Sequence, residues 1–279
     1  MKALGYYNGR YGELDEMMIP MNDRVCYFGD GVYDATCCGG HVIFLADEHI
    51  DRFYRSAERL KIKITLTKPE LKALLDEMVQ KVEGDTLFVY WQVTRGTAMR
   101  AHAFPDVPSN LWIMIKPIQL RDISVRVPLT HTEDTRFLHC DIKTLKLIPS
   151  VMAAQLAEER GCVETVFHRG EIVTECAHSN VHILKDGTLI THPTDCYILP
   201  GIARRHLILA CRRLGVPVEE RPFTMEELRA ADEVLVTSSS NFCLAAGSLD
   251  GEPLGGGDPK TVRALQDAVM KEYRDSTAR

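Results

Sequence analysis

At 279 residues, 45% apolar and 26% charged, the chain is long enough for two domains of roughly 100 to 150 residues, each with its own core. A net charge of −6 leaves no basic footprint for nucleic acid or an anionic membrane, and local pairs such as Arg212-Arg213 read as solvated helix faces. Nine scattered cysteines without a Cys-x-x-Cys spacing suggest neither a disulfide framework nor a metal site, and no signal-like or membrane-length apolar run is present, so a cytoplasmic protein with reduced thiols is expected.

Ile50, Phe53, Tyr54, Ala57 and Leu60 fall at helical spacing over 47–62, and Leu71, Leu74, Leu75 and Met78 repeat the pattern after Thr67-Lys68-Pro69. Two amphipathic helices are expected there. Residues 87–93 and 111–115 are short apolar runs rich in strand formers, with a loop punctuated by Gly and Pro between them. The first half therefore reads as α+β. The polar stretch 117–122 predicts a domain boundary near 120, dividing the chain into 1–120 and 121–279.

The second half predicts a strand over 124–127, then a helix over 150–160 stopped by Gly161. Short strands follow, with turns at His168-Arg169-Gly170 and Lys185-Asp186-Gly187, in an antiparallel grammar. A helix opens after Pro200-Gly201 and runs to Gly215, Thr224-Met225-Glu226-Glu227 is a capping box, and a last helix covers about 260–274. With no strict βαβ alternation, no internal repeat and no Gly-x-Gly-x-x-Gly after a strand, a dinucleotide-binding domain is not expected.

Lys143, in Cys140-Asp141-Ile142-Lys143, lies where a strand or loop feeds into an expected buried element, a place that strips water from an amine. Glu175 ends the strand-like run Ile172-Val173-Thr174-Glu175 and meets small polar residues, Ser179 among them. Such a carboxylate can cap a turn or, if buried, hold a pyridinium nitrogen. A lysine able to form an imine and a carboxylate for a ring nitrogen are together what pyridoxal phosphate chemistry requires. Gly201-Ile202-Ala203 offers a helix N-terminus to a phosphate, and Arg52 offers charge. Ser238, Ser239 and Ser240 put hydroxyls at a strand end, where they read as a loop or as phosphate partners. Arg100 and His102, just before Phe104-Pro105, read as exposed loop residues or as carboxylate binders. The vicinal Cys37-Cys38 pair reads mainly as packing.

Glu175-x-x-x-x-Asn180-Val181, Leu189-Ile190-Thr191 and Leu199-Pro200-Gly201-Ile202-Ala203-Arg204 resemble the signature of the class IV, or fold type IV, pyridoxal phosphate aminotransferases. Across essentially the whole chain the likeness is to their D-amino acid aminotransferase branch. It is carried by Phe28-Gly29-Asp30-Gly31-Val32-Tyr33, Glu48-His49-Ile50-Asp51-Arg52, Val93-Thr94-Arg95-Gly96, Arg100-Ala101-His102 and Cys140-Asp141-Ile142-Lys143.

The resemblance implies an α+β fold of two domains, an N-terminal α/β sandwich and a larger, mostly antiparallel β domain with flanking helices. It implies Lys143 as the covalent anchor, Glu175 as partner of the ring nitrogen, and Arg52, Ile202, Ala203, Ser239 and Ser179 as further cofactor contacts. Tyr33, Arg100 and His102 would trap the substrate carboxylate, the last two reaching in from the neighbouring copy of a homodimer. The implied substrates are a D-amino acid and a 2-oxo acid, without metal, nucleic acid or membrane. A branched-chain L-amino acid aminotransferase, an aminodeoxychorismate lyase and a non-catalytic cofactor-binding protein of the same fold are the alternatives. The chain departs from the pattern at His178, commonly a small serine, at His182, usually aromatic, and at Ala203, often a hydroxyl residue.

Overall fold

The structure is a computed structural model and describes residues 2–278; Met1 and Arg279, the outer ends of the two expected domains, lie outside them. The chain forms two compact units. The first holds residues up to Leu120, Ile142–Lys146 and the chain from Tyr273 onward; the second holds Arg121–Asp141 and Leu147–Glu272. The chain thus leaves the first unit near 120 and returns to it twice. The first return has a local cause: the Tyr33 amide donates to the Lys143 carbonyl at 3.0 Å and the Leu145 amide donates to the Gly31 carbonyl at 3.1 Å, so the segment around Lys143 is fastened to a strand edge.

In the first unit, β1 (Leu4–Tyr7), β2 (Arg10–Glu13) and the short α1 (Arg24–Phe28) lead into β3 (Gly31–Gly39) and β4 (Val42–Ile43). Helices α2 (Ala46–Arg59) and α3 (Lys68–Val79) precede β5 (Thr86–Thr94) and β6 (Asn110–Pro117). The sheet runs β2-β1-β6-β5-β3-β4, antiparallel throughout. Helix α2 stops at Arg59, short of the expected 62, because Lys61 takes a left-handed φ of 55°. Thr67 and Glu70 form the capping box of α3. Alternation along β5 sends Leu87, Val89, Trp91 and Val93 inward against Ile50 and Phe53 of α2 and Leu71, Leu75 and Met78 of α3. Burial of each such side chain contributes roughly 1.5–3 kcal/mol. The other register of β5 and β3 carries Tyr90 and Tyr33, stacked with ring centroids 5.3 Å apart.

The second unit contains β7 (Val127–Glu133), α4 (Ile148–Glu159), β8 (Glu164–Arg169), β9 (Ile172–Cys176), β10 (Asn180–Lys185) and β11 (Thr188–Thr191). It continues through α5 (Ile202–Leu214), β12 (Val218–Glu220), α6 (Met225–Arg229), β13 (Glu233–Ser238), β14 (Phe242–Leu249), β15 (Glu252–Pro253) and α7 (Pro259–Thr277), whose last turn belongs to the first unit. The sheet order is β12-β11-β10-β13-β14-β7-β8-β9, with β15 added to β14. Most pairings are antiparallel, but β7 runs parallel to β14 and β8, and β11 parallel to β12. The units β7-α4-β8 and β11-α5-β12 are therefore βαβ crossovers that the strand grammar did not anticipate.

The strand expected over 124–127 begins only at Val127, since the Asp122 carboxylate accepts from the Ser124 amide and hydroxyl and makes a turn there. Helix α4, expected to be buried, covers only Ala153 and Ala157 and leaves Ile148 and Met152 73% and 65% exposed. Among the described residues no helix is long and apolar enough to cross a membrane. Cys37 and Cys38 are fully buried, and burial, with Cys38 beside it, pushes the Cys37 thiol up to about 12, which disfavours a reactive thiolate.

Candidate active site

In the first unit, β3 and α2 converge on the segment around Lys143. Its carbonyl accepts from Tyr33 of β3, its amide donates to the Ser56 hydroxyl of α2 at 3.3 Å, and Thr144 bridges Val32. With the backbone held on both sides, the half-buried side chain brings its Nζ to 4.3 Å from the centre of the Tyr33 ring. An amine and a phenol therefore meet on one face of the sheet.

Asp34, the next residue of β3, points the other way, into α2. Its carboxylate receives Arg52 Nε at 2.9 Å and Nη2 at 2.8 Å and contacts His49 Nδ1 at 2.7 Å, all three groups being buried. Burial alone would raise this carboxyl, but the Arg52 charge and His49 outweigh it and hold it far below the usual carboxylate range. Burial lowers His49, against the pull of Asp34. The planar Arg52 fork is thus oriented from behind. Arg100 and His102 lie on the exposed loop between β5 and β6, packed on Phe28, with the guanidinium 5.1 Å and the imidazole 5.3 Å from that ring centre.

In the second unit Glu175, at the end of β9, is buried. Its Oε2 accepts from Asn180 Nδ2 at 2.9 Å and from the Leu199 amide at 3.0 Å, and its Oε1 accepts from Arg136 Nη1. Three donors on one carboxylate fix its plane. Arg136 was not foreseen from the sequence. It forks onto buried Asp134 at 2.9 Å through both Nε and Nη2, donates to the Tyr197 carbonyl and packs over Phe167. Burial pushes the Asp134 carboxyl up, but hydrogen bonds from Arg136 and its charge bring it below its ordinary value. The only trace of this network in the sequence is an acid and a base two residues apart beyond a strand.

Asn180 also donates to the Leu199 carbonyl at 3.0 Å and so holds the turn that leads into α5. A Cβ on Gly201 would collide with the Asn180 amide oxygen, so only glycine fits between them. Gly201 caps α5 without a side chain, which leaves the amides of Ile202 and Ala203 facing outward at the positive end of the helix. The Arg204 side chain turns the other way, onto Thr191, the His192 carbonyl and Glu220. Asn180 pairs with Thr237 across β10 and β13, and Ser239 follows in the turn after β13. Glu175, Ile202, Ala203 and Ser239 therefore gather at one end of the sheet. Ser179 donates to buried Glu164 at 2.8 Å, a carboxylate that also meets the exposed His178.

His182 fills an inward position of β10 between two hydroxyls, Thr191 Oγ1 at 2.8 Å and Thr237 Oγ1 at 2.9 Å. Burial, helped by Arg204, pushes this imidazole from 6.5 down to about 3. Below pH 6.5 the unfolded chain binds a proton that the folded chain refuses, so stability falls with falling pH until about pH 3. His182→Phe should flatten unfolding free energy against pH between 6.5 and 5 by about 1.4 kcal/mol per pH unit, measured by urea melts. It should also cost stability at every pH, because two buried hydroxyls lose their partner. An unchanged slope would mean that the folded protein protonates this ring.

The chain thus offers an amine beside a phenol, an oriented arginine, a fixed carboxylate and an uncapped helix N-terminus. Residues 31–249 match a family model described as amino-transferase class IV. The chain is 38% identical over 270 residues to the D-alanine aminotransferase of Listeria monocytogenes serotype 4b (strain F2365), covering 95% of this chain and 93% of that protein. It is 36% identical over 282 residues to the D-alanine aminotransferase of Bacillus licheniformis, covering 98% of both. Among solved structures, the branched-chain aminotransferase of Thermoproteus uzoniensis with norvaline superposes with a TM-score of 0.88 at 22% identity, covering 98% of this chain and 94% of that one. At that identity the likeness concerns the fold.

Proposed function

The chain belongs to the class IV aminotransferases, and we propose that it moves the amino group of a D-amino acid, such as D-alanine or D-glutamate, to a 2-oxo acid by a ping-pong mechanism, as a cytoplasmic homodimer. Bound pyridoxal phosphate supplies the electron sink that lets the substrate's Cα proton leave. The residues present suit that group. Gly201 opens the α5 N-terminus, where the amides of Ile202 and Ala203, with Ser239, would hold the phosphate, and Arg52 would be a further source of positive charge for it. Glu175, fixed by Arg136, Asn180 and the Leu199 amide, would accept a hydrogen bond from the protonated ring nitrogen and keep it protonated. Ser179 steadies the adjoining loop through Glu164.

Lys143 would serve as both covalent anchor and base, its Nζ taking the proton from Cα and delivering it to the cofactor's carbon rather than back to Cα. Tyr33, with Arg100 and His102 supplied by the neighbouring copy, holds the substrate carboxylate and so decides which face of Cα meets the amine. The observation that carries this reading is the Lys143 amine over the Tyr33 ring, a base held next to a carboxylate-binding phenol. The exposure of Arg100 and His102, on a loop that also presents Met99 and Phe104 to solvent at 80% and 60%, fits their use by a second copy.

Purified protein tested with D-alanine, L-leucine and aminodeoxychorismate should turn over D-alanine with 2-oxoglutarate as acceptor. Turnover of L-leucine alone would place it with the branched-chain enzymes instead, pyruvate released from aminodeoxychorismate would make it a lyase, and bound cofactor without any turnover would leave a non-catalytic binding protein.

A further inference from the structure

We propose that Arg24, through its carbonyl clamp on residues 101–103, is a positioning residue that sets the Arg100–His102 loop for substrate carboxylate binding. The inference rests on the assignment of Arg100 and His102 to that carboxylate. Arg24 is 3% exposed and lies at the start of α1, whose N-cap Asp23 is itself buried and receives Thr94 Oγ1 and Asn110 Nδ2. From this anchored helix Nη1 donates to the Ala101 carbonyl at 2.5 Å and to the Ala103 carbonyl at 3.3 Å, and Nη2 donates to the His102 carbonyl at 3.4 Å. Three successive carbonyls of an irregular loop are gathered by one guanidinium.

The fourth contact links the clamp to β3. Arg24 Nε donates to Asp30 Oδ2 at 2.8 Å, and Asp30 immediately precedes the strand that carries Tyr33. Asp30 also receives Arg95 Nε at 2.9 Å, and Arg95 reaches the Leu60 and Lys61 carbonyls and lies 3.6 Å from the centre of the Phe104 ring. Phe28, on α1 with Arg24, carries the Arg100 guanidinium and the His102 imidazole on its ring. Both ends of the loop are therefore tied, within one copy, to α1 and to the residue that opens β3.

A buried guanidinium is a costly way to hold a loop unless several oriented donors are needed at once. Apolar packing could bury the loop, but it could not fix the direction of three peptide planes. Because the bonds of Arg24 go to the carbonyls of 101–103 and to Asp30, its loss should weaken substrate capture more than the chemical step.

The test uses the holoenzyme of wild type, Arg24→Met and Arg24→Lys, at concentrations where all three have the same solution mass. Arg24→Met should raise KM for D-alanine at least about tenfold while kcat changes less than about threefold, with cofactor loading unchanged. Lysine, a point charge without the fork, should restore only part of the loss. Hydrogen exchange of amides 99–104 should quicken in the methionine variant. Unchanged KM and unchanged exchange would overturn the proposal, as would a fall in kcat and cofactor loading without a change in KM. If the wild type itself fails to turn over D-alanine, the D-amino acid reading falls, and the exchange comparison alone decides whether Arg24 holds the loop.

Discussion

Lys143→Ala is expected to abolish transamination, lowering kcat by at least about ten thousand-fold, while the protein folds normally. The size follows from two roles held by one amine, since loss of a positioned general base alone costs roughly 10² to 10⁴-fold. Normal folding follows from the geometry: the Lys143 carbonyl and amide are bonded to Tyr33 and Ser56, and neither bond uses the side chain. A small primary amine such as methylamine, added to the variant, should restore a measurable fraction of the proton transfer because the space over Tyr33 is vacated. Urea melts and multiple-turnover assays separate the outcomes. Retained activity in Lys143→Ala would remove Lys143 from the chemistry, and unfolding would assign it a structural role.

The second large effect belongs to the pair Glu175 and Arg136. Glu175→Gln should lower kcat roughly 10² to 10³-fold with the fold intact, because a neutral amide cannot stabilise a protonated ring nitrogen. Arg136→Met should be equally damaging to turnover and should also destabilise the protein by about 3 kcal/mol, since it removes a buried cation that Glu175 and Asp134 share, Asp134 keeping only the longer contact from Arg169 at 3.2 Å. Asn180 and the Leu199 amide still hold one oxygen of Glu175 in that variant, so the carboxylate is displaced less than it is discharged of its partner. The two substitutions act through one carboxylate, so the double variant should lose far less than the product of the single losses. Additive losses in kcat would show that Arg136 acts on catalysis by a route other than Glu175.

The sequence made Lys143, Glu175, Asn180 and Gly201 legible because each sits in a contiguous motif whose spacing is set by a strand end, a tight turn or a helix start. Helices α2, α3 and α5 were legible for the same reason: period and caps are local. Arg136, Asp134 and Arg24 were not. Their partners stand far away in the chain, and a buried charge announces itself only through the carboxylate or carbonyl that tertiary structure brings to it. The parallel pairing of β7 with β14 and β8 escaped notice because strand order is decided by which sheet edge a crossover helix reaches. Helix α4 was misjudged because its apolar residues Ile148, Val151 and Met152 face outward, which composition alone does not reveal.

The most direct test of the central claim is the visible absorbance of the purified protein during separate additions of D-alanine and L-alanine without any 2-oxo acid. D-alanine is expected to remove the bound cofactor's visible band and release one pyruvate per site, and L-alanine to change little. Loss of the band with L-alanine and not with D-alanine would contradict the assigned handedness and the roles given to Tyr33, Arg100 and His102.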